Sequence, residues 1–347
     1  MIQCGKCLTI FSFILCLLIA REKAYADRSV LEIQAVEQWS IYKVWNSQLN
    51  TLDKLQGSED IIMKDHEKLL TNDFSPGLVR PVRYFSKNCS GLALFSSHPG
   101  AGRTLLSLGL AQALACRQQL VLLVDLDWNK ATLRTIIRPS VSVRMDELMA
   151  EPALILKQGI VSLGSYFDFL GIDFSSFSLP KGENSGYYFI SHLIDRLAQI
   201  NKGYEYIIFD TASGMVEMNL ALLQHRLMGI FISSAELESL LDTFALLKSV
   251  YPHLYRPQLG LILNQVLDYQ NGESAQHTIR YALHHFMDQE IQLLGLVPFD
   301  EDLYFSGLSA FPFAKNSSVF DKIQQIAGTL QADHQVSLRM QSAAYCF

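Results

Sequence analysis

Between an apolar run, Leu92 to Ser96, and a helical pattern lies the stretch Ser97-His98-Pro99-Gly100-Ala101-Gly102-Arg103-Thr104. Glycines at 100 and 102 let a backbone curl so that successive amide groups face an anion, and the positive end of a following helix adds to the attraction. Thr104 stands where the hydroxyl of a phosphate-binding loop ligates Mg²⁺. Against the pattern G-x-x-x-x-G-K-[ST], Ser97 replaces the first glycine and Arg103 replaces the lysine. Two further runs end in acids. Gln119 to Asp127 (QLVLLVDLD) carries Asp125 and Asp127, and Tyr204 to Asp210 (YEYIIFD) carries Asp210 before Thr211-Ala212-Ser213-Gly214. Carboxylates beside a phosphate can hold a metal ion and orient water. A Gly-Ala-Gly turn is also an ordinary structural turn, and an aspartate at a strand end is also a cap. Three such features delivered to one place weigh toward a ligand. Ser213 and Ser234 have no G-x-S-x-G elbow around them. The histidines, among them His66, His225, His253, His277, His284 and His285, form no metal-binding spacing and read as packing or surface residues.

These residues need strands that end together. The two acid-ending runs are continuously apolar, as strands buried on both faces of a parallel sheet are. Leu105, Leu108, Leu110, Ala113 and Leu114 give the helix after the glycine turn. In open α/β sheets the carboxyl edge is where ligands sit. The expected fold is α/β, a doubly wound, mainly parallel sheet with helices on both faces and a helical N-terminal extension.

Composition agrees. The 347 residues allow about two domains, or one large α/β domain with an appendage. With 49% hydrophobic and 18% charged residues the chain has material for a core, which excludes a disordered or fibrous protein. A net charge of −6, from 28 basic and 34 acidic residues, speaks against broad capture of nucleic acid, so DNA is not the expected partner. Cysteines at 4, 7, 16, 89, 116 and 346 do not form a disulfide framework, and Cys4-x-x-Cys7 has no second pair at zinc spacing.

The N-terminus admits several readings. Leu8 to Ala20 is an apolar run of 13 residues, short for a membrane span and suited to a signal-peptide core. Ala24-Tyr25-Ala26 offers a cleavage site, a retained membrane-associated helix is a second reading, and a true start near Met63 is a third. The expected organisation is an apolar segment at 1–26, a helical extension and linker at 27–87, a nucleotide-binding domain at 88–330 and a tail at 331–347. The corresponding locations are the cytoplasm, the inner membrane face as a peripheral protein, or export.

From Leu92 to Leu330 the chain resembles the MinD/ParA group of deviant-Walker P-loop ATPases, and within it the FlhG branch, MinD-like ATPases that set flagellar number and placement. The motif K-G-G-x-G-K-[ST] falls on residues 98–104, an apolar strand ending D-x-D on Asp125-Leu126-Asp127, and D-[ST]-x-x-G on Asp210 to Gly214. Leu261-Ile262-Leu263-Asn264 and Leu294-Gly295-Leu296-Val297-Pro298-Phe299-Asp300 match the later segments, and Ser317-Ser318 opens the usual last helix. The resemblance implies an ATP/ADP- and Mg²⁺-binding switch that dimerises around ATP and regulates a cell-surface apparatus such as the flagellum through a protein partner. It implies phosphate contacts from Gly100, Ala101, Gly102 and Arg103. Asn264 would meet the adenine base, with Pro298 nearby. Thr104, Asp210 and Asp125 would lie around the metal, and Asp127, Arg103 and His98 would serve hydrolysis.

Two lysines of that machinery are replaced. Arginine keeps charge but is planar and bulkier. Histidine is shorter than lysine and carries less charge near neutral pH. Pro99 removes a backbone donor. Slow or impaired ATP hydrolysis is therefore expected, and a non-hydrolysing scaffold that binds partners is the alternative. A ParA-type DNA partitioner lacks its basic surface here, and an iron–sulphur carrier lacks cysteines between Cys116 and Cys346. Residues 331–347 lack a basic amphipathic membrane helix, so any membrane contact would come from the N-terminal segment.

Overall fold

The computed structural model describes residues 89–98, 100–127, 130, 132–150, 158–174, 185–198, 203–212, 216–225, 227–254, 258–306, 313 and 317–344. The readings of the apolar segment, the extension and linker, Pro99, and Ser213-Gly214 lie outside these residues.

The first strand, β1 (Ser90–Phe95), leads through the glycine turn into helix α1 (Arg103–Cys116). Then follow β2 (Val121–Asp125), α2 (Thr132–Ile137), β3 (Val143–Arg144), α3 (Met145–Ala150), β4 (Ile160–Gly164), β5 (Phe167–Asp173), α4 (Ser185–Leu197) and β6 (Tyr206–Asp210). The second half contributes α5 (Val216–Gln224), β7 (Met228–Ser234), α6 (Leu237–Val250), β8 (Leu259–Val266), α7 (Tyr269–Met287), β9 (Gln292–Pro298), α8 (Glu301–Ser306) and α9 (Ser318–Ala344). The sheet runs β3-β5-β2-β6-β1-β7-β8-β9, with β4 added antiparallel to β5 and every other pair parallel. The expected doubly wound, mainly parallel sheet is the one observed.

Alternation along the strands builds two cores. Leu92, Leu94, Val121 and Leu123 join one buried cluster with α1 and with Val319, Phe320, Ile323 and Ile326 of α9. Ala93, Phe95, Leu122 and Val124 join the other, with apolar residues of α4, α5, α6 and α7. Successive side chains of a strand point to opposite faces, so this split places helices on both sides of the sheet. On the α9 side, a Cβ at Gly109 would come within 2.7 Å of Ile323, so the close approach of the two helices needs a glycine in α1.

The last helix runs on past residue 330 to Ala344. Its added turns are tied to the sheet: His334 Nδ1 lies 2.6 Å from Ser90 Oγ, and its ring packs on Tyr206 with centroids 5.3 Å apart. Among the described residues no helix is long and apolar enough to cross a membrane.

Register decides where the chemistry goes. Asp125 of β2 pairs with Asp210 of β6, and Leu94 of β1 with the same Asp210. On the other side of β1, Ser234 of β7 pairs with Asn264 of β8. Strands on both sides of the glycine turn thus end at one level, at the carboxyl edge of the sheet.

Candidate functional site

The turn after β1 is built by two left-handed glycines, Gly100 at φ 85° and Gly102 at φ 90°. Side chains with a Cβ rarely adopt that conformation. At Gly102 there is a second reason, because a Cβ would run into the side-chain amide nitrogen of Asn264. Gly102 precedes α1 without a side-chain cap, and the first turn of the helix carries no acid. The amides there are not capped by a side chain, which suits an anion. The loop itself is held from below. Ser96 Oγ donates to the His98 carbonyl at 2.8 Å, and Thr211 Oγ1 donates to the Leu94 carbonyl at 2.7 Å, locking the end of β6 to the end of β1.

Two neutral amides hold the loop from the β8 side. Asn264 Nδ2 donates to the Ala101 carbonyl at 2.9 Å, and Gln265 Nε2 to the Gly100 carbonyl at 3.0 Å. Consecutive strand residues ordinarily face opposite ways. Gln265 breaks that rule with φ 58°, where the β8–β9 register also shifts. The resemblance assigns Asn264 to the adenine base; its place in the structure is against the loop backbone, with 5% of its surface exposed. Pro298 ends β9 opposite Val266, whose carbonyl accepts from the Phe299 amide at 2.9 Å.

The other side of the loop is charged. Asp125, Asp127 and Asp210 are all buried. Arg103, the first residue of α1, is buried between two of them: its Nη2 lies 3.2 Å from Asp127 Oδ2 and its Nε 3.3 Å from Asp210 Oδ1. Ser107, one turn further along α1, donates to the same Asp210 oxygen at 2.9 Å. Asp125 Oδ1 accepts from the Asp127 amide at 3.0 Å, which curls the chain after β2. Burial and the neighbouring Asp210 raise the Asp125 carboxyl from 3.8 to about 7. Asp210 is also raised, by burial, against the opposing effects of Arg103, Ser107 and Thr104. Two buried oxygens, Asp125 Oδ2 and Asp210 Oδ2, have no hydrogen-bond partner.

The Thr104 hydroxyl, which helps to lower the Asp210 carboxyl, joins the carboxylates of Asp210 and Asp125 at the start of α1. This is a donor set of hard oxygens, suited to a magnesium ion that also takes ligands from phosphate and water. It is not a complete cage by itself: among the described residues no three His, Cys, Asp or Glu side chains gather into a metal cluster. His98 turns away from this centre, its Nδ1 lying 3.0 Å from Asp242 Oδ2 on α6.

The sequence reading missed Ser107, Asp242 and Gln265. Ser107 had a signal, being a polar residue four after Arg103 within an otherwise apolar helix. The Gln265 contact had none, because it depends on a left-handed residue inside a strand.

A model of the CbiA family, the CobQ/CobB/MinD/ParA nucleotide binding domain, matches residues 92–311, from β1 to beyond α8. The chain belongs to this family. Its MinD/ParA membership accords with a likeness to the antiactivator FleN of Pseudomonas aeruginosa, 23% identical over 248 residues that make up 67% of this chain and 84% of FleN. The fold is shared with the septum site-determining protein MinD of Pyrococcus horikoshii OT3, solved in complex with Mg-ADP, at a TM-score of 0.54 and 18% identity over 72% of this chain and 98% of that one. It is shared also with the cell division ATPase MinD of Pyrococcus furiosus, at 0.52 and 18% identity over 70% and 98%. In this MinD/ParA-family chain the loop, the two acid-ending strands and β8 converge on one sheet edge, as the motif order implies.

Proposed function

We propose that this MinD/ParA-family chain is a magnesium–nucleotide-binding switch with slow ATP turnover that regulates a cell-surface apparatus such as the flagellum, as its resemblance to the FlhG branch implies. The observation that carries this reading is the cradle. Left-handed Gly100 and Gly102 open onto an α1 N-terminus that no side chain caps, beside buried acids with unpartnered oxygens. An unpaired buried acceptor costs on the order of 1–3 kcal/mol, so a ligand that satisfies it gains that much.

Each residue then has a task. The amides of Gly100, Ala101 and Gly102 and the guanidinium of Arg103 would face phosphate oxygens. Thr104, Asp210 and Asp125 would hold the magnesium, and Asp127 would accept a hydrogen bond from the attacking water. A bound magnesium–triphosphate brings the electrophilic phosphorus and spreads the charge that develops there. Asn264 keeps the loop's shape and, with Pro298, borders the place proposed for the base. Homodimerisation on ATP, a protein partner and contact of the N-terminal segment with a membrane extend this reading from the resemblance.

The residue that weakens turnover is Arg103. Its charge is spread over Asp127 and Asp210, and His98, at the position of the second family lysine, is engaged by Asp242. The same contacts favour a second reading, a scaffold that binds nucleotide without hydrolysing it. Titration of the full chain with a fluorescent ATP analogue and Mg²⁺ separates binding from no binding, and phosphate release separates the two readings. Saturable binding with slow release, faster after Arg103→Lys, supports the switch. Binding with no release in either chain supports the scaffold. An absence of binding at millimolar analogue rejects both.

A further inference from the structure

Charge around the cradle is concentrated and buried. Asp125, Asp127 and Asp210 are 1%, 5% and 0% exposed, and the cation set among them is Arg103, itself 8% exposed. Arg134, whose charge also reaches Asp125, is held at 3.0 Å by Asp173.

Arg103 does not grip either acid as a fork. Nε goes to Asp210 and Nη2 to Asp127, one contact each at 3.3 and 3.2 Å. Charge-assisted N–H···O bonds at their best are about 2.7–2.9 Å, and the strongest arginine pairs are bidentate. The guanidinium therefore spans two carboxylates at distances longer than these. A phosphate placed at the α1 N-terminus offers two oxygens that the planar guanidinium can grip bidentately in their place. Asp210 is the shared object: Arg103 Nε and Ser107 Oγ take its Oδ1, while its Oδ2 lies buried and unpartnered.

We propose that Arg103, which spans Asp127 and Asp210, is a built-in counter-ion that competes with a divalent cation for Asp210, so that the free chain takes up magnesium only after phosphate has drawn the guanidinium away. The proposal deepens the nucleotide reading and rests on it for the order of events. Phosphate comes first and metal second, and the empty site holds its acids neutralised without metal. Lysine at this position would do this less well, because its three N–H groups radiate from one compact nitrogen, whereas the guanidinium reaches the two acids from two separate nitrogens, Nε and Nη2.

The test needs no nucleotide. The full chain, Arg103→Gln and Arg103→Lys are compared for Mn²⁺ affinity and for the shift of the unfolding midpoint with MgCl₂ against NaCl of equal ionic strength. The wild-type chain is expected to show no magnesium-specific shift. Arg103→Gln is expected to gain one and to bind Mn²⁺ about tenfold or more tightly, since a buried unit charge beside the ligands has been removed. Arg103→Lys, which keeps a positive charge and guards against a folding failure of the glutamine variant, is expected to fall between. An equal metal response in wild type and in the variants that fold overturns the counter-ion role, whether or not nucleotide binds. A wild-type shift as large as that of either variant does the same. Failure of the nucleotide titration, by contrast, removes the switch reading and leaves the metal comparison standing.

Discussion

The two flanks of the glycine loop are built on opposite principles. On the β8 flank, Asn264 and Gln265 hold the loop's own carbonyls with neutral hydrogen bonds of 2.9 and 3.0 Å. On the β2–β6 flank, Asp125, Asp127 and Asp210 are buried, the Arg103 guanidinium spans the last two, and Asp125 Oδ2 and Asp210 Oδ2 have no hydrogen-bond partner. The neutral flank is satisfied as it stands and shapes the loop. The charged flank instead keeps two buried acceptors unsatisfied, which is costly until a ligand meets them. A difference of this kind locates chemistry better than any one motif residue, since a structural site would be closed on both sides.

The contrast is broken most severely at Arg103. Arg103→Ala leaves three buried acids without the cation that spans two of them, and a loss of about 3–5 kcal/mol in folding stability is expected by chemical denaturation of the full chain. Asn264→Ala is the matched change on the neutral flank and should cost only about 1–3 kcal/mol, the penalty for an unsatisfied Ala101 carbonyl.

Between these in size lies a pH effect confined to the charged flank. In the folded, metal-free chain Asp125 releases its proton near 7 rather than at 3.8. The folded state therefore holds more protons than the unfolded one between those values. Its contribution to stability is fully present below 3.8 and is lost as pH rises through about 7. Asp125→Asn should remove this slope and stabilise the chain above pH 7 by up to about 4 kcal/mol, at 1.36 kcal/mol per pK unit. Unfolding midpoints measured from pH 4 to about 8 would show it. The smallest effect belongs to His98 and Asp242, a pair partly open to solvent at 26% and 46% exposure. A double-mutant cycle should return about 0–1 kcal/mol between them. A large coupling would mean that His98 organises the loop rather than bordering it.

Most of the fold was legible because parallel strands are continuous apolar runs, and Leu92 to Ser96, Gln119 to Asp127 and Tyr204 to Asp210 show that signal plainly. The acids could be placed at strand ends for the same reason. The antiparallel β4 edge was not legible, since its residues Ile160 to Gly164 are partly exposed and lack a continuous apolar run. The partners of Arg103 were not legible either. Motif alignment gives its position after Gly102, but whether a guanidinium faces phosphate or carboxylate depends on the register that sets Asp125 beside Asp210. The contact of His334 with Ser90 was not legible, because residues 331–336 carry no apolar pattern that would tie them to β1.

The central claim is that the curled loop and the buried acids beside it bind a nucleotide together with magnesium. Equilibrium titration of the full chain with a fluorescent ATP analogue, with Mg²⁺ and with EDTA in its place, tests this most directly. Saturable binding that unlabelled ATP displaces and that weakens in EDTA is the expected result. A flat titration up to millimolar analogue in both conditions would contradict it.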